Sequence, residues 1–399
     1  MKVSTLQKET LSKTRINQRV QQMPPSGIRA FFELVIGKKD VISLGVGEPD
    51  FITPWHIREA GIHSLETGQT SYTSNSGLLE LREEIAAYLL KTAGSSYDCR
   101  SEILVTVGGS EAVDLAFRTI LDPGDEVIVV DPSFVSYAPM AFLAGGEPVR
   151  VPTFAENGFV PTMDDLERAA SPRTRAMIVN YPNNPSGATL TAEQMNLIMD
   201  FVLRRDLILI SDEIYLPLTY EGDALSFASY RELRDRLILI HGFSKAWAMT
   251  GWRLGMAAGP EDLIEGMTKV HQYGIMCTPT TAQYAAIEAL RNGGDEVEAM
   301  RKEYDRRRRF FTHHLNRIGF DCFVPGGAFY AFPSIRAAGM TSQEFAEKLL
   351  EEENVAVIPG TAFGNCGEGH VRCSYASSLK ELREAVQRME QFAHRYVRK

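Results

Sequence analysis

The sequence predicts an α/β fold: a mostly parallel central sheet between helices, with a second, smaller α+β unit. Three observations carry this. Between residues 103 and 258, short apolar runs alternate regularly with helical patterns. Those runs are rich in Val, Ile and Leu without polar alternation, as expected of strands buried on both faces. Beyond Pro260 the alternation gives way to long helices and a few short strands. In open sheets of this kind, ligands sit at the carboxyl ends of the strands.

Taken in order, residues 1–14 read as an N-terminal arm. Apolar spacing is helical over 15–36, interrupted by Met23-Pro24-Pro25-Ser26-Gly27. A short strand over 41–44 leads into the turn-rich Gly45-Val46-Gly47-Glu48-Pro49-Asp50. Pro54 opens a helix ending at Glu66, with Thr53 as the expected cap. Ser71-Tyr72-Thr73 lies in a loop, and a helix follows over 78–91. Strands are expected over 103–107, 126–130, 147–151, 176–180, 207–210, 237–240 and 254–258. Helices between them are expected from Gly108-Gly109-Ser110-Glu111 to 121, and over 134–143, 163–170 and 191–203. Long helices follow over 262–272, 280–291 and 297–318. Short strands near Phe329 and Val355 and helices over 341–352 and 378–396 complete the chain. The expected division is a small domain of 15–47 and 291–399 and a large one of 48–290. Arg306-Arg307-Arg308-Arg309 shares its helical pattern with Glu303 and Asp305 and reads as a solvated helix face.

Composition narrows the function. The 399-residue chain is 44% hydrophobic and 23% charged, as in ordinary globular proteins. Its formal net charge of -9 argues against nucleic acid as the main partner. Five scattered cysteines without CxxC spacing read as reduced thiols, not a disulfide framework or a metal site. No apolar run approaches the roughly twenty residues that span a membrane. The polar N-terminus has no signal-peptide core, so the expected compartment is the cytoplasm.

Five stretches could carry chemistry. Lys245, in Ser244-Lys245, follows the apolar run 237–240 and is expected on the loop at that strand's end. Arg253, eight positions on, suits a two-pronged grip on phosphate. An amine near such an arginine suggests a phosphorylated carbonyl cofactor held covalently. Gly108-Gly109-Ser110-Glu111 joins strand to helix, where backbone N–H groups and the helix dipole favour an anion. Tyr181-Pro182-Asn183-Asn184-Pro185-Ser186-Gly187 fixes its backbone with two prolines and can aim an asparagine amide. Ser211-Asp212-Glu213-Ile214-Tyr215 puts a carboxylate at a strand end. Asp212 there could hold a proton on a heterocyclic nitrogen. Arg372, on a short strand near the C-terminus, is a natural partner for a substrate carboxylate. Taken singly, each has a plainer alternative: surface cations, a tight glycine turn, an Asn-Pro turn or a paired surface carboxylate.

Together these stretches resemble the class I, fold-type I aminotransferases that use pyridoxal 5′-phosphate, specifically the aspartate/aromatic aminotransferase-like group. The resemblance covers residues 20–395. It rests on Gly47-Glu48-Pro49-Asp50-Phe51, Ser71-Tyr72, Gly108-Gly109-Ser110, Asn183-Asn184-Pro185-Ser186-Gly187, Ser211-Asp212-Glu213-Ile214-Tyr215, Ser244-Lys245, Met249-Thr250-Gly251-Trp252-Arg253-Leu254-Gly255 and Val371-Arg372. It implies that Lys245 joins the cofactor aldehyde and then shuttles the substrate proton. Asp212 pairs with the ring nitrogen, Tyr215 and Asn184 contact the ring oxygen, and Phe134 stacks on the ring. Gly109, Ser110 and Arg253 hold the phosphate. Tyr72 reaches the cofactor phosphate of a neighbouring subunit, which implies a homodimer with shared active sites. Arg372, Asn184 and the Gly47 backbone bind the substrate α-carboxylate.

Two departures stand out. Gly242 occupies a position where many relatives carry a phosphate-binding serine, leaving Ser244 or a water to compensate. Phe134 replaces a commoner tryptophan or tyrosine. Aspartate-preferring relatives often carry lysine where Ser110 stands, so aromatic or other apolar donors are favoured, aromatic ones first. The stretch from Pro25 to Phe32 resembles the N-terminal segment of aromatic aminotransferases, and its Arg29 is expected to be a solvated helix residue. The expected activity is ping-pong transfer of an amino group from an L-amino acid to 2-oxoglutarate. An aspartate aminotransferase or a C–S β-lyase on the same cofactor is the alternative.

Overall fold

The structure, a computed structural model, describes residues 15–25, Gly27 and 40–397. The expected arm, Arg29 and most of the helix expected over 15–36 lie outside the described residues. Within them, Gln18–Gln22 is helical.

Seven strands form the central sheet: β2 (Ile103–Thr106), β3 (Glu126–Asp131), β4 (Glu147–Pro152), β5 (Thr174–Asn180), β6 (Ile208–Asp212), β7 (Leu237–Gly242) and β8 (Gly255–Ala258). They lie in the order β2-β8-β7-β6-β5-β3-β4. Strands β3 to β7 pair in parallel, while β8 runs antiparallel to both β7 and β2. Every residue of β3 and of β7 is buried, which is why neither shows polar alternation. Successive side chains still take opposite faces. Val127 and Val129 join Ala116 and Met267 in the core on one face. Ile128 and Val130 join Ile85 and Phe201 in the core on the other.

The register fixes the site. Asn180 stands opposite Asp212, and Asp212 opposite Ile240, so β5 and β6 end level and β7 runs two residues further. Lys245 follows three residues beyond the end of β7.

A second group of elements begins with helix Gly294–Arg317. Strand β9 (Tyr330–Ala331), β11 (Ile358–Pro359) and β12 (Val371–Ser374) form an antiparallel sheet in the order β11-β12-β9. Strand β1 (Ile42–Ser43) pairs in parallel with β10 (Val355–Ala356), so the start of the described chain returns to this part. Among the described residues, no helix is long and apolar enough to cross a membrane.

Three local expectations need correction. The helix expected from 134 begins at Tyr137, which leaves Phe134 in the segment after β3. Thr53 does not cap the helix Trp55–Glu66; its hydroxyl donates to the carbonyl of Ala248 at 2.6 Å, and Pro54 occupies the cap position. The arginine run is not a solvated face. Each helical residue advances about 100°, so four in succession go round the helix and cannot share a side. Arg306 and Arg309 are exposed, but Arg307 and Arg308 are buried. Arg307 pairs with Asp50 at 2.8 Å and Glu303 at 2.9 Å. Arg308 pairs with Glu221 and Asp305, both at 2.6 Å, and donates to the carbonyl of Pro325 at 2.7 Å.

Arg308→Ala leaves the Pro325 carbonyl without its donor beside a void, while Asp305 keeps Arg309 and Glu221 is exposed to water. Leaving a buried acceptor unpaired costs about 1–3 kcal/mol, and the packing lost with the side chain adds to it. Urea unfolding should show that loss, against a much smaller one for Arg309→Ala.

Candidate active site

The carboxyl ends of β5, β6 and β7, the loop after β1 and strands β9 and β12 enclose a cavity of about 250 Å³. Gly47, Gly109, Phe134, Asn184, Asp212, Tyr215, Lys245 and Arg372 all line it, as do Tyr137, Asn180, Ile214 and Tyr330. The amine of Lys245 donates to the carbonyl of Gly47 at 2.6 Å. Burial, the main cause, pushes its pKa down to about 8, and the nearby Arg372 and Arg253 push the same way. An amine so poised is half uncharged near pH 8 and can act as nucleophile or base.

Asp212 is buried at the end of β6. The hydroxyl of Tyr137 donates to one carboxylate oxygen at 2.6 Å, and the Ile214 N–H donates to the other at 3.2 Å. Burial raises its pKa, while those two donors and the Lys245 charge oppose the rise. A cation entering the cavity would tip the balance toward the carboxylate. Asn180 binds the Asp212 carbonyl through its amide at 2.8 Å, and its own oxygen accepts from the Asn184 N–H at 3.0 Å. The two asparagines thus tie the carboxyl end of β6 to the Asn-Pro segment.

Arg372 is buried on β12. It donates to Asn184 Oδ1 at 3.0 Å and to the carbonyl of Gly45 at 2.6 Å. Its Nε has no partner, and no carboxylate of the described residues pairs with it. The rings of Tyr330 and Phe363 lie 4.5 and 4.8 Å from its guanidinium carbon. A buried cation held by neutral groups, with a donor to spare, is suited to an anion from outside.

At the other end of the cavity, helix Gly108–Ile120 begins at a glycine with φ +77°. A Cβ there would come within 2.7 Å of Arg253 Nη2, so glycine lets the guanidinium lie against the helix start. Ser110 and Arg253 are exposed on the rim and do not line the cavity. Gly242 is buried without a side chain, and Ser244 is buried beyond it. Tyr72 is 81% exposed and is not brought to this cavity.

Sequence reasoning missed Tyr137, Asn180 and Tyr330. Tyr137 stands three positions after Phe134, a helical spacing, and Tyr330 follows Gly326-Gly327-Ala328-Phe329. Both signals also fit ordinary core aromatics.

Residues 39–389 match the family described as "Aminotransferase class I and II". The chain belongs to this family of aminotransferases. It is 47% identical to an aspartate aminotransferase of Pyrococcus abyssi over 94% of this chain and 97% of that one. It is 45% identical to aromatic-amino-acid aminotransferase 2 of Thermococcus litoralis, over the same shares. Among solved structures, an aromatic aminotransferase from Pyrococcus horikoshii OT3 is 47% identical. It superposes with a TM-score of 0.88, covering 92% of this chain and 99% of that one. The fold is therefore that of the fold-type I aminotransferases, whose family uses pyridoxal 5′-phosphate, and the protein is an aminotransferase.

The lowered amine pKa gives this aminotransferase a testable signature. Cofactor-free protein exposed to an aldehyde and then borohydride should be labelled at Lys245 with a midpoint near pH 8. The reactive form is the unprotonated amine, so labelling rises with pH. A midpoint near the ordinary lysine value, as read by peptide mass, would contradict the burial of this amine.

Proposed function

We propose that this aminotransferase binds pyridoxal 5′-phosphate at Lys245 and moves an amino group from an L-amino acid to 2-oxoglutarate in two ping-pong half-reactions, with aromatic donors preferred. The observation that carries this is the convergence of Lys245, Asp212 and the carboxylate-free Arg372 on one cavity. The residues present fit the group. An acid faces an amine across a concave, partly aromatic space, and a helix start with an arginine against it lies at one end.

When bound, pyridoxal 5′-phosphate supplies a charged, electron-withdrawing ring that accepts the electron pair left as a substrate Cα proton departs. Asp212, aimed by Tyr137 and the Ile214 N–H, keeps the ring nitrogen protonated. Tyr215 and Asn184 would contact the ring oxygen, and Phe134 would lie against the ring. Gly109, Ser110 and Arg253 hold the phosphate. Arg372, with Asn184 and the Gly47 backbone, binds the substrate α-carboxylate, which orients the Cα–H bond toward Lys245. The Lys245 amine takes that proton and returns it, as base and then acid.

The functional unit in this proposal is a homodimer with shared active sites, in which Tyr72 reaches a neighbour's cofactor phosphate. Exposed Tyr72, Tyr273, Ile275 and Met276 support it. Hydrogen bonds from Asn75 to Met276 and from Thr280 to Ser71 tie their segments together. The cytoplasm remains the proposed compartment. The proposed domains are 15–47 with 291–399, and 48–290. The central sheet falls wholly within the second range, and β1 pairs with β10 within the first.

Aromatic preference is supported by Ser110 and by the absence of any cavity-lining cation besides Lys245 and Arg372 among the described residues. A half-reaction screen tests it: holoprotein is mixed with each amino acid, and loss of the lysine-bound cofactor's absorbance is followed. Phenylalanine and tyrosine should react faster than aspartate. Reaction with aspartate but with neither aromatic would reject the preference. Pyruvate and thiol released from cystathionine without any 2-oxo acid would instead mark a C–S β-lyase.

A further inference from the structure

Tyr330 touches three parts of the site at once. Its hydroxyl lies 2.8 Å from that of Tyr215. Its ring faces Arg372, 4.5 Å from the guanidinium carbon. A Cβ at position 47 would overlap its hydroxyl, so Gly47, whose carbonyl receives Lys245, is the residue that leaves it room. Strand pairing sets this geometry, because Tyr330 stands opposite Ser374, two residues beyond Arg372 on β12.

A phenol has a single proton to donate. In the Tyr215–Tyr330 pair one hydroxyl donates and the other accepts. If Tyr215 donates, it has nothing left to offer the cavity. If Tyr330 donates, Tyr215 turns its own proton inward, and a hydroxyl that accepts a hydrogen bond donates more strongly. Tyr330 has no other hydrogen-bond partner among the described residues, so its proton has no competing use.

We propose that Tyr330 is a positioning residue. It gives its proton to Tyr215, so that Tyr215 gives its own to the ring oxygen of the bound cofactor, while the ring of Tyr330 holds Arg372 flat for the substrate carboxylate. This rests on the proposed role of Tyr215. In the bound cofactor the ring oxygen would share a proton with the lysine-linked nitrogen, so weaker donation from Tyr215 would leave that proton bound to higher pH.

The test is a pH titration of bound-cofactor absorbance in wild type, Tyr330→Phe, Tyr215→Phe and the double variant, with kcat and KM measured alongside. Tyr330→Phe should raise the midpoint by about half a unit, and Tyr215→Phe by about one unit. The double variant should match Tyr215→Phe. Tyr330→Phe keeps its ring, so KM for the amino acid should stay within about twofold while kcat falls. Tyr330→Leu removes the ring and should raise KM as well. An unmoved midpoint in Tyr330→Phe, or an equal rise on the Tyr215→Phe background, would overturn the relay. An unchanged KM in Tyr330→Leu would overturn the support of Arg372. A Tyr215→Phe midpoint equal to wild type would sink the role of Tyr215 itself and the relay with it.

Discussion

Lys245→Ala should lower turnover by roughly 10⁴-fold or more, because one side chain is asked both to anchor the cofactor and to move the substrate proton. The scaffold for that double task is visible. The amine sits at the carboxyl end of β7, donates to the carbonyl of Gly47 and shares a cavity with Asp212. Its pKa near 8 adds a pH signature. Below that value the amine of the free protein is mostly protonated and cannot attack a carbonyl; above it the free base dominates. Cofactor loading of wild type should therefore speed up as pH rises through 8, and the variant should show no such rise. Borohydride treatment followed by mass measurement checks the anchor directly. Wild type should carry one cofactor on the peptide containing Lys245, and the variant none. A cofactor fixed to another lysine would remove the basis of the proposed function.

What the sequence could reveal depends on distance along the chain. Lys245, Asp212 and Asn184 were legible because each lies just beyond an apolar run, and strand carboxyl ends of a parallel sheet meet at one edge. Arg372 was legible only through its place in a longer pattern; nothing nearby on the chain shows that it is buried without a carboxylate. Tyr137 meets Asp212 across 75 residues, and Tyr330 meets Tyr215 across 115. Aromatics at helical or strand spacing satisfy any core, so local pattern cannot separate these two from Phe117 or Phe201. The arginine run failed for a related reason. Charge runs are usually solvated, and two of the partners of Arg307 and Arg308, Asp50 and Glu221, lie on distant segments. Strand β8 was expected from its apolarity, but its antiparallel direction has no signature in composition.

Arg372→Leu separates function from stability more sharply than any other change in this site. In the ligand-free protein the guanidinium is buried, and burial lowers its pKa because no carboxylate repays the lost hydration. Removing the charge therefore recovers a desolvation cost of several kcal/mol. Against that, Gly45 O and Asn184 Oδ1 each lose a donor, at about 1–3 kcal/mol apiece. The two contributions oppose each other at similar size, so the melting temperature of the empty protein should move by only about 2 °C. Catalysis has no such offset. A substrate carboxylate bound by a buried two-pronged cation loses roughly 3–5 kcal/mol when that cation goes, so kcat/KM should fall by about 10²–10⁴-fold. Arg372→Lys keeps the charge without the fork and should fall between wild type and the leucine variant. Thermal unfolding with and without a saturating carboxylate inhibitor gives a reading independent of turnover. At a hundredfold excess over its Kd the inhibitor should stabilise wild type by about 2.7 kcal/mol and leave Arg372→Leu unmoved. Equal stabilisation of both proteins would mean that the carboxylate binds elsewhere. The neutral cradle around Arg372 would then be an interior packing arrangement, and the orientation proposed for the substrate Cα–H bond would lose its anchor.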